Sequence, residues 1–309
     1  MRYIYEVYKE GSFSKAAQKL YLTQPTLSIA IRKIEEQYGM PLFDRSAKPL
    51  NLTDAGALYI QKIKEIMALE EELACQINDL SSLKSGHIRI GGTQYFNSYV
   101  LPSVLEQFAL QYPGVRIELR EDTSAGIGQL LSDGSVDLMF SVNDMDESLF
   151  DLKPVFKDEL LLAVPGQFPV NGPLVPYALT RGQIIQNRHL VKDCPCVPLN
   201  AFCDTPFLIL TEGNNLHKRA LLICKEAGFV PKIHMEIEQL VTSYHLAGAG
   251  LGAAFATSLL IKGSIDYGLS YYKIKSDHAS RSFNAVVKKS SYTSRAVQAF
   301  IGIVERTYG

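Results

Sequence analysis

Apolar side chains in the first forty or so residues recur at helical rather than strand spacing. Ile4, Val7 and Tyr8 form one short helical face that Gly11 ends, and Ala16, Ala17 and Leu20 form a second behind an N-cap at Ser14. After the connector Tyr21-Leu22, Thr23 can cap a third helix whose first turn tolerates Pro25 and whose core face is Leu27, Ile31 and Ile34. Gly39 stops it. Two small helices joined by a tight turn, with paired alanines where they cross, form a helix-turn-helix arrangement. The turn-punctuated Pro41-Leu42-Phe43-Asp44-Arg45 and Lys48-Pro49-Leu50-Asn51-Leu52 then look like a wing hairpin. From Thr53 to about Lys84 there are 32 residues without proline, with Ile63, Ile66, Leu69, Leu73, Ile77 and Leu80 at three- or four-residue spacing. Such a helix extends roughly 48 Å. Its apolar stripe needs a cover, and pairing with a second copy is the preferred reading over packing on its own small domain.

After Ser85-Gly86 the period changes. Residues 88–92 read as a strand, 98–112 as a helix closed by Pro113-Gly114, 115–121 as an alternating strand, 124–132 as a helix and 136–141 as a buried strand. This βαβαβ order predicts a parallel sheet covered by helices. Residues 160–164 lead into a proline-rich turn, after which strands at 207–211, 232–236 and 251–255 alternate with helices at 214–227 and 238–247. Two strand-like segments, 269–274 and 283–287, precede a last helix over 293–308. The fold class is α/β behind an N-terminal all-α winged helix-turn-helix and a long linker helix.

The 309 residues carry 31 Lys and Arg against 32 Asp and Glu, a net of −1, and 47% are hydrophobic. That balance argues against a disordered chain, gives no hint of nucleic acid, and the length suits about two domains. The N-terminus enters a charged helical pattern at once, without the apolar segment of an export signal, so a cytoplasmic location is expected. Two uncharged stretches, 160–180 and 239–261, are long enough to span a bilayer. Pro165, Pro169, Pro173 and Pro176 interrupt the first, and His245 with Gly248, Gly250 and Gly252 the second, so both read as buried core and no membrane partner is expected.

Candidate catalytic chemistry is sparse. There is no GxSxG, HExxH or Gly-rich Lys-Ser/Thr loop. Asp144-Met145-Asp146-Glu147 lacks the glycine and terminal glutamate of a calcium loop and reads as a polar turn. Gly248-Ala249-Gly250-Leu251-Gly252-Ala253 follows a helix and precedes a strand, the reverse of the phosphate-binding order. Cys75, Cys194, Cys196, Cys203 and Cys224 form no CxxC pair and suit reduced thiols. Cys194-Pro195-Cys196 with Cys203 could serve as a thiol switch, but no histidine stands at metal-ligand spacing. Neither catalysis, a metal nor a cofactor is expected.

Five segments carry a resemblance. Phe13-Ser14-Lys15-Ala16-Ala17-Gln18-Lys19-Leu20, Thr23-Gln24-Pro25-Thr26-Leu27-Ser28, Ile34-Glu35, Leu42-Phe43-Asp44-Arg45 and Leu52-Thr53-Asp54-Ala55-Gly56, in that order and spacing, resemble the winged helix-turn-helix of LysR-type transcriptional regulators. Family-like pieces continue at Tyr99-Val100-Leu101-Pro102, Asp133-Gly134-Ser135-Val136-Asp137-Leu138, Asp204-Thr205-Pro206-Phe207-Leu208 and Gly248-Ala249-Gly250-Leu251-Gly252, so the resemblance covers essentially the whole chain. It implies a DNA-binding domain at 1–58, a linker and dimerisation helix at 59–85, and at 86–309 a two-lobed effector domain shaped like a type II periplasmic binding protein. Lobe 1 is expected at about 86–164 and 266–309, lobe 2 at about 165–265. It also implies a homodimer or homotetramer on double-stranded promoter DNA, with transcription by RNA polymerase responding to a small-molecule effector. In the peroxide-sensing branch a reactive cysteine follows a Gly-x pair where this chain has Asn215, and Cys224 alone does not restore it. The alternative for the two-lobed part is a small-solute-binding protein without a regulatory DNA role, which would need an export signal and no N-terminal domain.

DNA binding needs phosphate donors and short polar groups that reach base edges from a helix in the major groove. Gln24 can contact adenine at two points, Pro25 and the Thr26 methyl can touch a thymine methyl, and Arg32 can reach guanine or phosphate. Ser14, Thr23, Ser28 and Lys33 complete the helical set, while Arg45 and Lys48 suit phosphate or minor-groove contact from the wing. Simple capping is the competing account of Gln24 and Thr26, and a solvated charge that of Arg32 and Lys48. Ile29 stands where the family often has a polar residue, so one base or phosphate contact is expected to be missing. Residues 1–60 hold 8 Lys and Arg against 6 Asp and Glu, a net of +2, and residues 61–309 hold 23 against 26, a net of −3. A single winged domain should therefore bind weakly and depend on linked copies.

Two lobes joined by crossings near Val164 and Gly263 should leave a cleft at the strand C-terminal ends. The effector candidates just after strands are Thr93, Gln94, Tyr95, Thr123, Ser124, Ser141 and Asn143 from the first lobe, and Thr211, Leu240 and Thr242 from the second. Ordinary caps and turns compete for each. Hydroxyl and amide groups without an arginine cluster suit a small organic acid or an amino-acid-like ligand.

Overall fold

Caps and left-handed turns cut the N-terminal chain into three helices. α1 (Arg2–Glu10) ends at Gly11 with φ 58°, α2 (Phe13–Lys19) follows, and α3 (Gln24–Tyr38) runs from the Thr23 cap to Gly39 with φ 67°. The cap of α2 is Ser12 rather than Ser14. Ser12 is extended and its Oγ accepts the Lys15 N–H at 3.4 Å, whereas Ser14 lies exposed in the first helical turn. The computed structural model describes residues 1–46, 50–79, 86–143 and 145–309, in two units, Met1–Ile77 and Asn78–Gly309.

In the first unit Ile4 and Val7 of α1, Ala16 and Ala17 of α2, and Leu27 and Ile31 of α3 share one core with Leu42 and Phe43. The wing is an antiparallel pair, β1 (Phe43–Asp44) and β2 (Asn51–Leu52), with Phe43 opposite Leu52. Residues 47–49, and with them Lys48, lie outside the described residues. α4 (Asp54–Asp79) begins against the wing, where a side chain at Gly56 would overlap the Leu42 carbonyl. Of the α4 stripe, Ile60 and Ile63 join the core. Ile66, Leu69, Leu73 and Ile77 stay exposed. The expected end of this helix near Lys84 lies outside the described residues.

The second unit opens with β3 (Gly86–Gly92), α5 (Gln94–Tyr99), α6 (Leu101–Gln111), β4 (Val115–Glu121), α7 (Ser124–Ser132) and β5 (Leu138–Ser141), with β3 parallel to both β4 and β5. Two helices stand where one is expected over 98–112. Pro102 has no N–H to offer and its ring crowds the preceding turn, so the chain breaks at Val100. Then follow β6 (Phe150–Pro165), α8 (Asn171–Leu174), β7 (Ala178–Leu179), α9 (Arg181–Ile185), β8 (Pro206–Leu210), α10 (Asn215–Glu226), β9 (Lys232–Ile237), α11 (Leu240–Gly248), β10 (Ala253–Thr257), α12 (Ser258–Gly263), β11 (Leu269–Lys273), β12 (Ser280–Lys288) and α13 (Arg295–Tyr308).

β6 joins the lobes. Residues 150–159 pair antiparallel with β12, which pairs antiparallel with β5, and residues 160–165 pair antiparallel with β10 and β11. β10 is parallel to β8, and β8 to β9. Each sheet is therefore mixed rather than purely parallel. The crossings also move. The outward one falls between Glu159 and Leu160, where β6 changes partners, and the return lies at residues 274–279, between β11 in the second sheet and β12 in the first. β11 thus belongs to the second lobe, which spans about 160–279 instead of about 165–265.

Register fixes where the cleft opens. β5 runs parallel to β6 and ends at Ser141, ahead of which lies the middle of β6. β10 runs against β6 and ends at Thr257 opposite Leu160, so its C-terminal end also meets that middle. The C-terminal ends of the parallel strands in both lobes face the same line. Gly56→Ala is expected to cost about 1–3 kcal/mol of stability, since the group it meets is backbone and cannot swing away. Guanidinium unfolding of the full chain checks this. An unchanged first transition would contradict the close approach.

Candidate DNA-reading face and effector cleft

Burying Leu27 and Ile31 turns the opposite side of α3 to solvent. Gln24, Pro25, Thr26, Ile29, Arg32 and Lys33 are exposed there, and Ser28 is half-buried at their margin. Pro25, Ser28, Ile29 and Arg32 follow the three- and four-residue spacing of one helical stripe. Thr23 and Thr26 also serve the cap: their hydroxyls lie 2.8 Å apart and the Thr26 N–H donates to Thr23 Oγ1 at 3.4 Å. Ile29, 57% exposed, puts an apolar patch in the middle of the stripe. Arg45 does not project freely from the wing; Glu35, Ser28 and the Phe13 ring hold it inside this unit. Lys19, on the same domain, is neutralised by Glu6 and Glu10.

At the cleft, the candidate residues fall into three groups. Thr93 caps α5 without a side-chain bond to it, and Gln94 Oε1 is buried with no partner among the described residues. Ser124 and Thr242 are exposed at the starts of α7 and α11, and Thr211 is half-buried after β8. Thr123 and Ser141 are engaged locally: Thr123 Oγ1 accepts the Gly126 N–H at 3.2 Å and Ser141 Oγ the Asn143 N–H at 3.0 Å. Tyr95 and Leu240 are not placed to meet a ligand. Leu240 is in the hydrophobic core, and Tyr95 is buried with its hydroxyl committed.

That commitment shows a group of residues the pattern does not single out. Asp158, on β6 at the lobe crossing, is buried and accepts from Tyr95 Oη at 2.7 Å, Arg281 Nη2 at 2.8 Å, Ser258 Oγ at 3.0 Å and the Leu259 N–H at 3.4 Å. Thr257 Oγ1 donates to Tyr95 Oη at 3.0 Å. Arg281 is the β12 residue in register with Asp158. Burial and then the Asp158 charge push the Tyr95 phenol well above its ordinary range, so it remains a donor. The cluster ties α5 of the first lobe to β10 and α12 of the second. Its one signal in the sequence is the carboxylate pair Asp158-Glu159 just ahead of the apolar run that begins at Leu160.

Close by, His189 is buried with neither ring nitrogen partnered among the described residues. Burial, then the neighbouring Lys262, lower its pKa to about 4 against a weaker opposing pull from Asp158. Cys224 is buried and its thiol is pushed up to about 12, which makes it unreactive. Cys194, Cys196, Cys203 and Cys224 are free thiols. Among the described residues no group of His, Cys, Asp and Glu is arranged to hold a metal, and no helix is long and apolar enough to cross a membrane. Asp146 forms a turn by accepting from Ser148, and Asp144 lies outside the described residues.

Comparison with known proteins assigns both units. Residues 1–57 match the family model described as bacterial regulatory helix-turn-helix protein, lysR family, and residues 81–308 match the LysR substrate binding domain. An uncharacterized HTH-type transcriptional regulator, YcgK of Bacillus subtilis, is 29% identical over 97% of this chain and 91% of its own. A probable RuBisCO transcriptional regulator of Synechocystis is 27% identical over 97% and 83% respectively. Full-length CbnR complexed with its target DNA shares the fold at a TM-score of 0.65, with 17% identity over 99% of this chain and 98% of that one.

The neutral, buried His189 has a consequence for stability. In the unfolded chain it takes up a proton below about pH 6.5, while in the fold it does so only near pH 4. Stability is therefore lost as pH falls through that window, and no further below it. His189→Leu is expected to flatten this part of the stability profile, read by urea unfolding at pH 7, 6, 5 and 4.5. A variant that falls as steeply as wild type would contradict the assignment.

Proposed function

The chain belongs to the LysR family of bacterial transcriptional regulators, and we propose that it sets α3 into the major groove of promoter DNA and adjusts that contact through an effector held between the two lobes. The observation that carries the first part is the exposed stripe of α3 opposite its buried Leu27 and Ile31. Gln24 supplies a two-point contact to adenine, Pro25, the Thr26 methyl and Ile29 meet thymine methyls, and Arg32 reaches guanine or phosphate. Ile29 in this reading replaces a polar contact with an apolar one rather than leaving a gap. Ser14, Lys33 and Lys48 supply phosphate donors.

The effector reading rests on the strand ends that converge at the middle of β6. Thr93 has no side-chain bond to its helix and Gln94 Oε1 no partner among the described residues, and Ser124, Asn143, Thr211 and Thr242 follow other strands of the two lobes. This set favours a small, weakly charged organic acid or amino-acid-like compound. Binding shifts the population of lobe arrangements, and DNA placement follows. The uncovered stripe of α4, with Ile66, Leu69, Leu73 and Ile77, calls for a second copy, and linked copies compensate for the net of +2 on residues 1–60. The role is regulatory rather than catalytic, with RNA polymerase as the downstream partner.

Two variants separate the two halves of this reading. Arg32→Ala is expected to weaken binding of the full chain to duplex DNA from upstream of its own gene by about tenfold, the worth of one charged contact. Thr93→Ala is expected to leave that affinity alone and to blunt the ligand response found in a thermal-shift screen of small acids and amino acids. Unchanged affinity for Arg32→Ala in a salt-resolved anisotropy titration, or a normal ligand response for Thr93→Ala, would remove that residue from its site.

A further inference from the structure

A wing arginine beside a recognition helix is normally expected to neutralise a phosphate. Here its guanidinium is already occupied. Arg45 Nη2 lies 2.9 Å from Glu35 Oε2, its Nη1 donates to Ser28 Oγ at 3.2 Å, and its Cζ lies over the Phe13 ring, 5.0 Å from the centroid. Glu35 is itself committed, for its other oxygen accepts the N–H groups of Leu42 at 2.9 Å and Phe43 at 3.4 Å, the residues that lead into β1. The Glu35 side chain is only 11% exposed. Were Arg45 to leave for a phosphate, Glu35 would keep a largely buried charge without a cation, and breaking such a pair is costly.

The second half of the geometry concerns Ser28. Because its oxygen accepts from Arg45, its own proton must be given elsewhere, and among the described residues no protein group accepts it. The hydroxyl lies at the margin of the exposed stripe of α3. An adjacent cation favours a partner with lone pairs, and DNA offers these as purine N7, guanine O6, thymine O4 and phosphate oxygen.

We propose that Arg45 is a positioning residue for DNA recognition: clamped by Glu35, it locks the wing to α3 and orients Ser28 as a hydrogen-bond donor to an acceptor on the DNA. It does not itself neutralise a phosphate. This rests on the placement of α3 in the groove, which the salt dependence of wild-type binding tests separately.

The test is anisotropy titration of the full chain against duplex DNA from upstream of its own gene, over a range of salt concentrations. Arg45→Lys keeps the charge but not the fork, and is expected to lose about tenfold in affinity or more with no change in the slope of log affinity against log salt. Glu35→Gln removes a negative charge next to DNA, yet is expected to weaken binding. In a double-mutant cycle the losses from Arg45→Lys and Ser28→Ala are expected to be strongly non-additive, since both act through one hydroxyl. A guanidinium that merely props up the wing would give additive losses and overturn the proposal. So would near-wild-type affinity for Arg45→Lys, tighter binding by Glu35→Gln, or a slope for Arg45→Met lower by about 0.9 per protomer, the mark of a lost phosphate contact.

Discussion

Asp158 is the point on which the second unit turns. A carboxylate as buried as this is tolerable only when a cation and several donors meet it together, and its four partners come from β12, α5 and the start of α12. It stands one residue before the place where β6 leaves one sheet and enters the other. The ion pair with Arg281 therefore ties the outgoing strand to the returning one at the lobe boundary. Tyr95 brings the beginning of α5 to the same carboxylate, Ser258 brings the start of α12, and Thr257 at the end of β10 donates to the Tyr95 hydroxyl. Thr93 and Gln94 are the two residues before Tyr95, so the start of α5 is mounted on this cluster.

The first unit uses the same device on a smaller scale. Glu35 accepts two backbone N–H groups from the approach to the wing and pairs with Arg45, so one carboxylate holds helix and wing together. The pair leaves the net charge of the first sixty residues at +2, but takes one of their eight cations away from DNA. DNA affinity in such a protein depends on a few placed donors and on linked copies more than on a basic field.

Much of this was legible in the sequence because it is local. Capping and left-handed glycines bound α1 and α3, and period-two alternation bounds β4 to the residue. What was not legible depends on partners far along the chain. The first part of β6 is hidden by Asp151, Lys153, Pro154, Lys157, Asp158 and Glu159, since pairing with β12 rather than an apolar pattern makes it a strand. The lobe crossings differ from the expected ones for the same reason. Tyr95 and Leu240 sit where ligand contacts belong in sequence, but the direction of a side chain at a helix start is decided by packing, which turns both inward. Arg45 looks like a phosphate donor until Glu35, ten residues away, is brought beside it.

The Asp158–Arg281 pair couples the two crossover strands and so holds the lobes in their relation. A double-mutant cycle on the second unit's urea unfolding, with Asp158→Asn, Arg281→Met and the two combined, reads this directly. Each single change is expected to cost about 3–5 kcal/mol, and the double change much less than their sum, because neither charge is then left unpaired. Additive losses would show that the two residues stabilise the fold independently and would contradict the account.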